Sequence, residues 1–164
     1  MNSLDVSRIN ARAPYVVSMT GSGYSFQTDT GIVYSVTFDV YTDIAGSIAY
    51  WFALTNLSFK ASPNDVKLKE IVVCIIEEFF DKNPDILLYL CDTAKGQQAM
   101  RNRLFQRWFN TYELRQRYYV LNEMIPDEDA DNYVTLIIQR SNPQFEQIVS
   151  FFNDIISQFK SNKP

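Results

Sequence analysis

Apolar and polar residues alternate along the first third of the chain, a pattern that predicts β-strands. The alternation runs over 24–27 and again over 34–41. The turn residues between these runs end in Gly31, which favours a β-hairpin. A third alternating run, 48–59, extends the hairpin to a three-stranded antiparallel meander. Residues 1–13 show no such period, and we expect them to form a loose N-terminal arm.

Three later stretches repeat their apolar residues every three or four positions, which is the spacing of an amphipathic helix. The first predicted helix is capped by Ser62 and stops at Asn83-Pro84. The second covers about 93–113, and the third follows Asn142-Pro143. The side chains expected on the three buried stripes are Leu68, Ile71, Val72, Ile75, Ile76 and Phe79; Met100, Leu104, Trp108 and Tyr112, with Phe105 and Phe109 widening this face; and Phe145, Ile148, Val149, Phe152, Ile155, Ile156 and Phe159.

Shorter apolar runs between the helices predict more strands. Residues 86–91 are apolar without interruption, which is typical of a strand covered on both faces. Residues 118–124 and 133–140 read as two strands of a hairpin. The loop between them, 126–132, is acidic and is expected to be exposed.

The predicted order, β-β-β-α-β-α-β-β-α, mixes strands and helices and contains more hairpins than parallel crossovers. It favours an α+β fold, with one mainly antiparallel sheet and three helices packed on one face. We expect a single domain over 14–160 and a polar tail at 161–164.

Composition narrows the chemistry. Of the 164 residues, 46% are apolar, which indicates a globular chain, and the net charge is -4. There is no histidine, which excludes Ser-His-Asp and Cys-His catalysis and removes the commonest metal ligand. We therefore expect no metal, no cofactor and no catalytic residue. Cys74 and Cys91 lie in or at the end of apolar runs, and both are expected to be buried thiols in a reducing compartment.

The start of the sequence lacks the apolar segment of a signal peptide, and no apolar run is long enough to cross a bilayer. We therefore expect a soluble cytoplasmic protein without a membrane partner.

Positive charge is concentrated in 95–117, which holds six basic residues and one acidic residue. The candidate partner- or anion-binding residues are Asp92, Lys95, Arg101, Arg103 and Arg107. Such a run could bind nucleic acid, or its helix start could bind an anion. It could also be a solvated scaffold helix whose arginines pair with the acidic loop or with Glu77 and Glu78, and we favour this interpretation.

Other chemistries have weaker support. Asp92 with Lys95 has the spacing of the Asp…Lys end of a nuclease motif, but no further acid is placed to hold magnesium. The acidic loop lacks the glycine and the distal glutamate of a calcium-binding EF-hand. Trp51 and Tyr41 are either an open partner surface or covered by another layer of the same chain.

The segment LLYLCDTAKGQQAMRNRLFQRWF, followed by the acidic hairpin and by the closing helix after SNP, resembles a family of small uncharacterised bacterial proteins, a domain of unknown function. Its most specific positions are Cys91-Asp92, Gln97, Arg101, Arg103, Leu104-Phe105 and Trp108-Phe109. The likeness extends from GYSFQTDTGIVYSVTF to the end of the chain. The resemblance implies one compact domain and brings no activity, ligand or catalytic residue.

These observations predict a non-catalytic protein-interaction module. Its acidic loop and basic helix suggest head-to-tail self-association that weakens as salt rises. One alternative is a nucleic-acid-binding accessory protein that uses the basic helix. Another is a histidine-free hydrolase or nuclease.

Overall fold

The computed structural model describes residues 1–61, 65–91, 98–125 and 132–161. Within these ranges the strands form one seven-stranded, mainly antiparallel sheet in the order β1-β2-β3-β4-β5-β7-β6. The predicted α+β class is therefore confirmed. The described elements are α1 (Val6–Asn10), β1 (Val17–Met19), β2 (Tyr24–Gln27), β3 (Val33–Ile44), β4 (Ser47–Asn56), α2 (Val66–Lys82), β5 (Ile86–Cys91), α3 (Gln98–Phe109), α4 (Tyr112–Arg117), β6 (Tyr118–Ile125), β7 (Asn132–Gln139) and α5 (Phe145–Ser161).

The element order differs from the predicted one, because α1, β1 and α4 were not expected. The predicted second helix is in fact interrupted. It ends at Phe109, and Thr111 then takes an extended conformation (φ -79°, ψ 151°) before α4 begins. The segment 93–97, where we expected this helix to begin, lies outside the described residues.

The expectation of a loose N-terminal arm over 1–13 is wrong. The Asp5 carboxylate accepts hydrogen bonds from the backbone N–H groups of Ser7 and Arg8 and so caps α1. Leu4 and Ile9 are buried. These contacts show that the segment is packed in the fold. The sequence did not indicate this, because a five-residue helix is too short to show a period.

The chain folds into two compact units. The first contains residues 1–39 and 52–84, and the second contains 40–51 and 85–164. The predicted single domain over 14–160 stays a prediction.

The core of the first unit is aromatic. Phe38 of β3 stacks on Phe79 of α2, with 5.1 Å between ring centroids, and lies 5.6 Å from the ring of Phe52. The predicted stripe of α2 is buried apart from Leu68, which is half-buried. The observed N-cap of α2 is Asp65, whereas the predicted cap, Ser62, lies outside the described residues.

In the second unit α3 and α5 cover opposite faces of β5. The ring of Tyr89 stacks on Phe105 of α3 with 4.3 Å between centroids. Ile86 and Leu88 instead share a core cluster with Phe152 of α5. Successive strand residues point to opposite faces, so the expectation of three helices on one face is wrong. The uninterrupted apolar sequence of β5 requires a cover on each side.

The predicted buried face of α3 is confirmed except at Leu104. Phe105, Trp108 and Phe109 are buried, whereas Leu104 is 41% exposed. The large rings fill the space above Tyr89 and Tyr118, and the smaller leucine turns outward. The other two side chains of the predicted stripe, Met100 and Tyr112, lie outside the described part.

The stripe of α5 is confirmed at its centre. Ile148, Phe152 and Ile156 are buried, whereas Phe159, near the end of the helix, is 55% exposed. No helix in the described ranges is long and apolar enough to span a bilayer.

A buried carboxylate ties α1 to α2. The side chain of Glu78 has no exposed surface, and its Oε2 lies 3.3 Å from Nε of Arg8. Its Oε1 accepts a hydrogen bond from the N–H of Asp5. Arg12 forms a similar ion pair, 3.2 Å long, with Glu77, whose side chain keeps 16% of its surface in solvent.

We expect Phe105→Ala to lower the free energy of unfolding by about 3 kcal/mol, since it opens a cavity under α3. Its neighbour Leu104 is the control, and Leu104→Ala should cost about 0.5 kcal/mol because this residue is already 41% exposed. Denaturant unfolding of both variants measures the difference. Equal losses would contradict the observed orientation of α3.

Arg8→Ala should lower the free energy of unfolding by about 2 kcal/mol, because it leaves the buried Glu78 carboxylate without its counter-charge. Arg12→Ala removes the same charge from a partner that water can reach, and should cost about 0.5 kcal/mol. The two variants are compared by thermal and urea unfolding. A loss for Arg12→Ala as large as that for Arg8→Ala would contradict the role of burial.

Candidate functional site

Three arginines meet where β6 begins and β7 ends, and we call them the arginine cluster: Arg115, Arg117 and Arg140. The hairpin register pairs Tyr118 with Gln139, which brings the ends of the two strands together. The N–H of Arg140 donates to the carbonyl of Arg117 at 2.9 Å. Its side-chain Nε donates to the carbonyl of Arg115 at 2.7 Å. The backbone thus holds Arg140 in place.

Two members of the cluster lie over aromatic rings. The guanidinium carbon of Arg117 lies 5.2 Å from the ring centroid of Tyr118, and that of Arg140 lies 5.4 Å from Tyr119. Neighbouring strand residues point to opposite faces, so the two arginines approach the strand from opposite sides. Such cation–π contacts orient a guanidinium group without neutralising its charge.

Arg103 and Arg107 form a second group, the helix pair. They lie one turn apart in α3, and both are exposed. Arg101, another predicted site residue, lies in α3, but its side chain lies outside the described part. The remaining two, Asp92 and Lys95, lie wholly outside it. In the described ranges no hydrogen bond or ring contact joins the helix pair to the arginine cluster.

The charges of four arginines, two of the arginine cluster and the two of the helix pair, are not balanced within the described part of the chain. No carboxylate of the described residues lies within 4.0 Å of the guanidinium groups of Arg103, Arg107, Arg115 and Arg140. Glu77 and Glu78 form ion pairs with Arg12 and Arg8. Their pairing with the basic run stays a prediction, because the side chains of Lys95 and Arg101 lie outside the described part. Pairing with the acidic loop stays a prediction, since residues 126–131 lie outside the described ranges.

Exposed guanidinium groups of this kind bind carboxylates and phosphates through charge-assisted, often paired hydrogen bonds. Among the residues that the structure describes, no group of three or more acidic or cysteine side chains could hold a metal ion. The arrangement therefore supports binding of an anionic group.

The ionisable groups with shifted pKa values are held in their protonated forms. Burial raises the pKa of the Cys74 thiol, which is free and half-buried, although nearby Arg12 acts in the opposite direction. Burial also raises the pKa of Tyr15, which donates a hydrogen bond to Asp65, and that of Tyr50, which lies near Asp85. A nucleophile needs the opposite shift. The side chain of Cys91 lies outside the described part.

The aromatic pair formed by Tyr41 of β3 and Trp51 of β4 differs in solvent exposure. The ring centroids of Tyr41 and Trp51 are 5.3 Å apart. Trp51 packs against the core cluster that includes α5, so a layer of the same chain covers it. Tyr41 is exposed. The expectation of cover thus holds for Trp51 alone.

Sequence reasoning missed Arg140. It counted Arg115 and Arg117 in the basic run but did not select them as site residues. The signal was nevertheless present, because folding 118–124 back on 133–140 sets Arg140 beside Arg117.

Residues 64–154, more than half of the chain, match the Family of unknown function (DUF6169), and the chain belongs to this family. The resemblance to an uncharacterised domain is confirmed, although the matched region is shorter than the one expected. No curated protein and no solved structure matches the chain.

We expect Cys74 to react with iodoacetamide more slowly than free cysteine at neutral pH, because a raised pKa leaves less thiolate. Its rate should rise through a pH above the ordinary pKa of a thiol. Peptide mass spectrometry separates its alkylation from that of Cys91. A rate above that of free cysteine would contradict this account and would revive an enzymatic role for the thiol.

Proposed function

We propose that this protein is a non-catalytic protein-interaction module whose exposed arginines bind an acidic segment of a partner protein. The observation that carries the proposal is the set of four exposed guanidinium groups, Arg103, Arg107, Arg115 and Arg140, which no described carboxylate neutralises. In a chain with a net charge of -4, a local positive surface of this kind favours a specific acidic partner.

The position of Arg140 supports a role in binding. Its side chain is already fixed by the carbonyl of Arg115 and by the ring of Tyr119. A side chain that is ordered before binding loses little conformational entropy when a ligand arrives. The remaining nitrogens of the guanidinium group are then available to a carboxylate.

Nucleic-acid binding is the alternative, and the aromatic side chains speak against it. Single-strand binders stack bases on accessible rings. Phe105, Trp108 and Phe109 of α3 are buried, and Tyr118 beneath Arg117 is only 2% exposed. Contacts to phosphate would remain, but they give no means of reading a base.

The hypothesis of a histidine-free hydrolase or nuclease rests on Asp92 and Lys95. Both residues lie outside the described ranges, and no described observation favours this function. It stays a prediction from the sequence.

The test uses the charge-reversed variant Arg103→Glu/Arg107→Glu and a fluorescent peptide rich in Asp and Glu. We expect the wild-type protein to bind the peptide at low salt, and binding to weaken as salt rises. The variant should bind at least about 10-fold more weakly, since two attractive charges become repulsive. Fluorescence anisotropy measures both affinities.

The matched control is Lys60→Glu/Lys69→Glu, which changes the net charge equally in the first unit. It should keep most of the affinity. An Asn- and Gln-rich peptide should not bind. No binding of the acidic peptide at low salt would refute the proposal, as would equal losses in both variants, and tighter binding of single-stranded DNA would favour the alternative.

A further inference from the structure

The two edges of the sheet are built differently. At one edge the strand β1 has three residues, and a side chain already occupies its outward side. The amide of Asn10 accepts a hydrogen bond from the N–H of Val17 at 2.7 Å and donates to its carbonyl at 3.0 Å. Asn10 thus takes the place of a neighbouring strand at Val17.

Among the residues that the structure describes, none occupies the outer side of the other edge, β6, in this way. It pairs with β7 residue by residue over its full length of eight residues, with no bulge. Its sequence, YYVLNEMI, contains no proline, lysine or arginine, the residues that commonly block edge pairing. Its single charge, Glu123, is paired with Lys160 at 2.7 Å.

The ladder shows which backbone groups of β6 face outward. Arg117 and Arg140 form a hydrogen-bonded position, and such positions recur at every second residue of an antiparallel pair. The backbones of 119, 121, 123 and 125 therefore face β7. Those of Val120, Asn122 and Met124 face away from it, and no described residue bonds to them.

We propose that the outer edge of β6 pairs with β6 of a second copy of this chain, antiparallel, about a two-fold axis near Asn122. In this register Val120 lies opposite Met124 of the second copy, and each strand supplies the same set of outward N–H and C=O groups. An interface that is its own complement closes as a dimer and leaves this edge covered. The inference goes beyond the proposed function, because it needs no other protein.

The charges at the two ends of β6 select this partner and this direction. The arginine cluster lies at the end where Tyr118 begins the strand. Beyond Ile125, at the other end, the chain continues directly into a sequence with four carboxylates: Asp127, Glu128, Asp129 and Asp131. Antiparallel pairing directs each arginine cluster toward the end of the second copy's β6 from which this acidic sequence continues, whereas parallel pairing would set the two arginine clusters side by side.

The experiment compares Met124→Lys with Met19→Lys by size exclusion with light scattering over a range of concentrations. Both methionines are exposed on edge strands, one on β6 and one on β1. We expect wild type and Met19→Lys to show about twice the chain mass of 19.0 kDa, and Met124→Lys to show a monomer. Monomeric wild type at all concentrations would overturn the inference, as would a dimer that Met124→Lys leaves intact.

A second variant covers the case in which Met124→Lys does not fold. Val120→Pro removes an outward N–H and no hydrogen bond to β7, so circular dichroism should show a folded protein that is monomeric. A folded dimer of Val120→Pro would also overturn the inference.

The experiments can refute each of the two proposals independently of the other. Arg103→Glu/Arg107→Glu should lose the acidic peptide and remain dimeric, because the helix pair is not on the β6 edge. Monomeric Met124→Lys should still bind the peptide. A dimer without peptide binding refutes only the proposed function, and peptide binding by a strict monomer refutes only the pairing of β6.

Discussion

The burial of β5 on both faces is the constraint that organises the second unit. Ile86, Leu87 and Leu88 are apolar residues on both sides of the strand, and each side therefore requires an apolar cover there, whereas Leu90 near the end of the strand is 45% exposed. The ring of Phe105 supplies one cover and α5 supplies the other. Because the aromatic side chains of α3 face the core, Arg103 and Arg107 lie on the solvent side of the helix. The positive surface is in this sense a consequence of the core.

Much of the fold was predictable from the sequence, because its longer elements carry a clear period. The hairpin of β6 and β7, the strand at 86–91 and the stripe of α5 all follow directly from the apolar pattern. The helix α1 was not predictable, because a single turn holds too few apolar residues to show a period. The exposure of Leu104 in α3 was not predictable, because leucine and phenylalanine count equally in a pattern, whereas the space above Tyr89 accepts a ring.

The candidate site was predictable only in part, for a related reason. Arg103 and Arg107 stood out because they lie in one basic run. Arg140 lies far away in the sequence and joins Arg115 and Arg117 only through the strand register. Two of the predictions from the sequence also contradicted each other. A strand at 86–91 that is covered on both faces cannot belong to a sheet whose helices all lie on one face. The structure confirms the cover on both faces.

The strand β3 runs without a break from the first unit into the second, and β4 runs without a break from the second unit into the first. A single cut in the chain therefore cannot separate the two units for expression. The region shared with the family, 64–154, begins next to α2 and omits the aromatic strands on which that helix rests. A fragment trimmed to this region would lack Phe38 and Phe52, and Phe79 would lose the ring of Phe38 on which it stacks. The apolar surface exposed in this way favours aggregation.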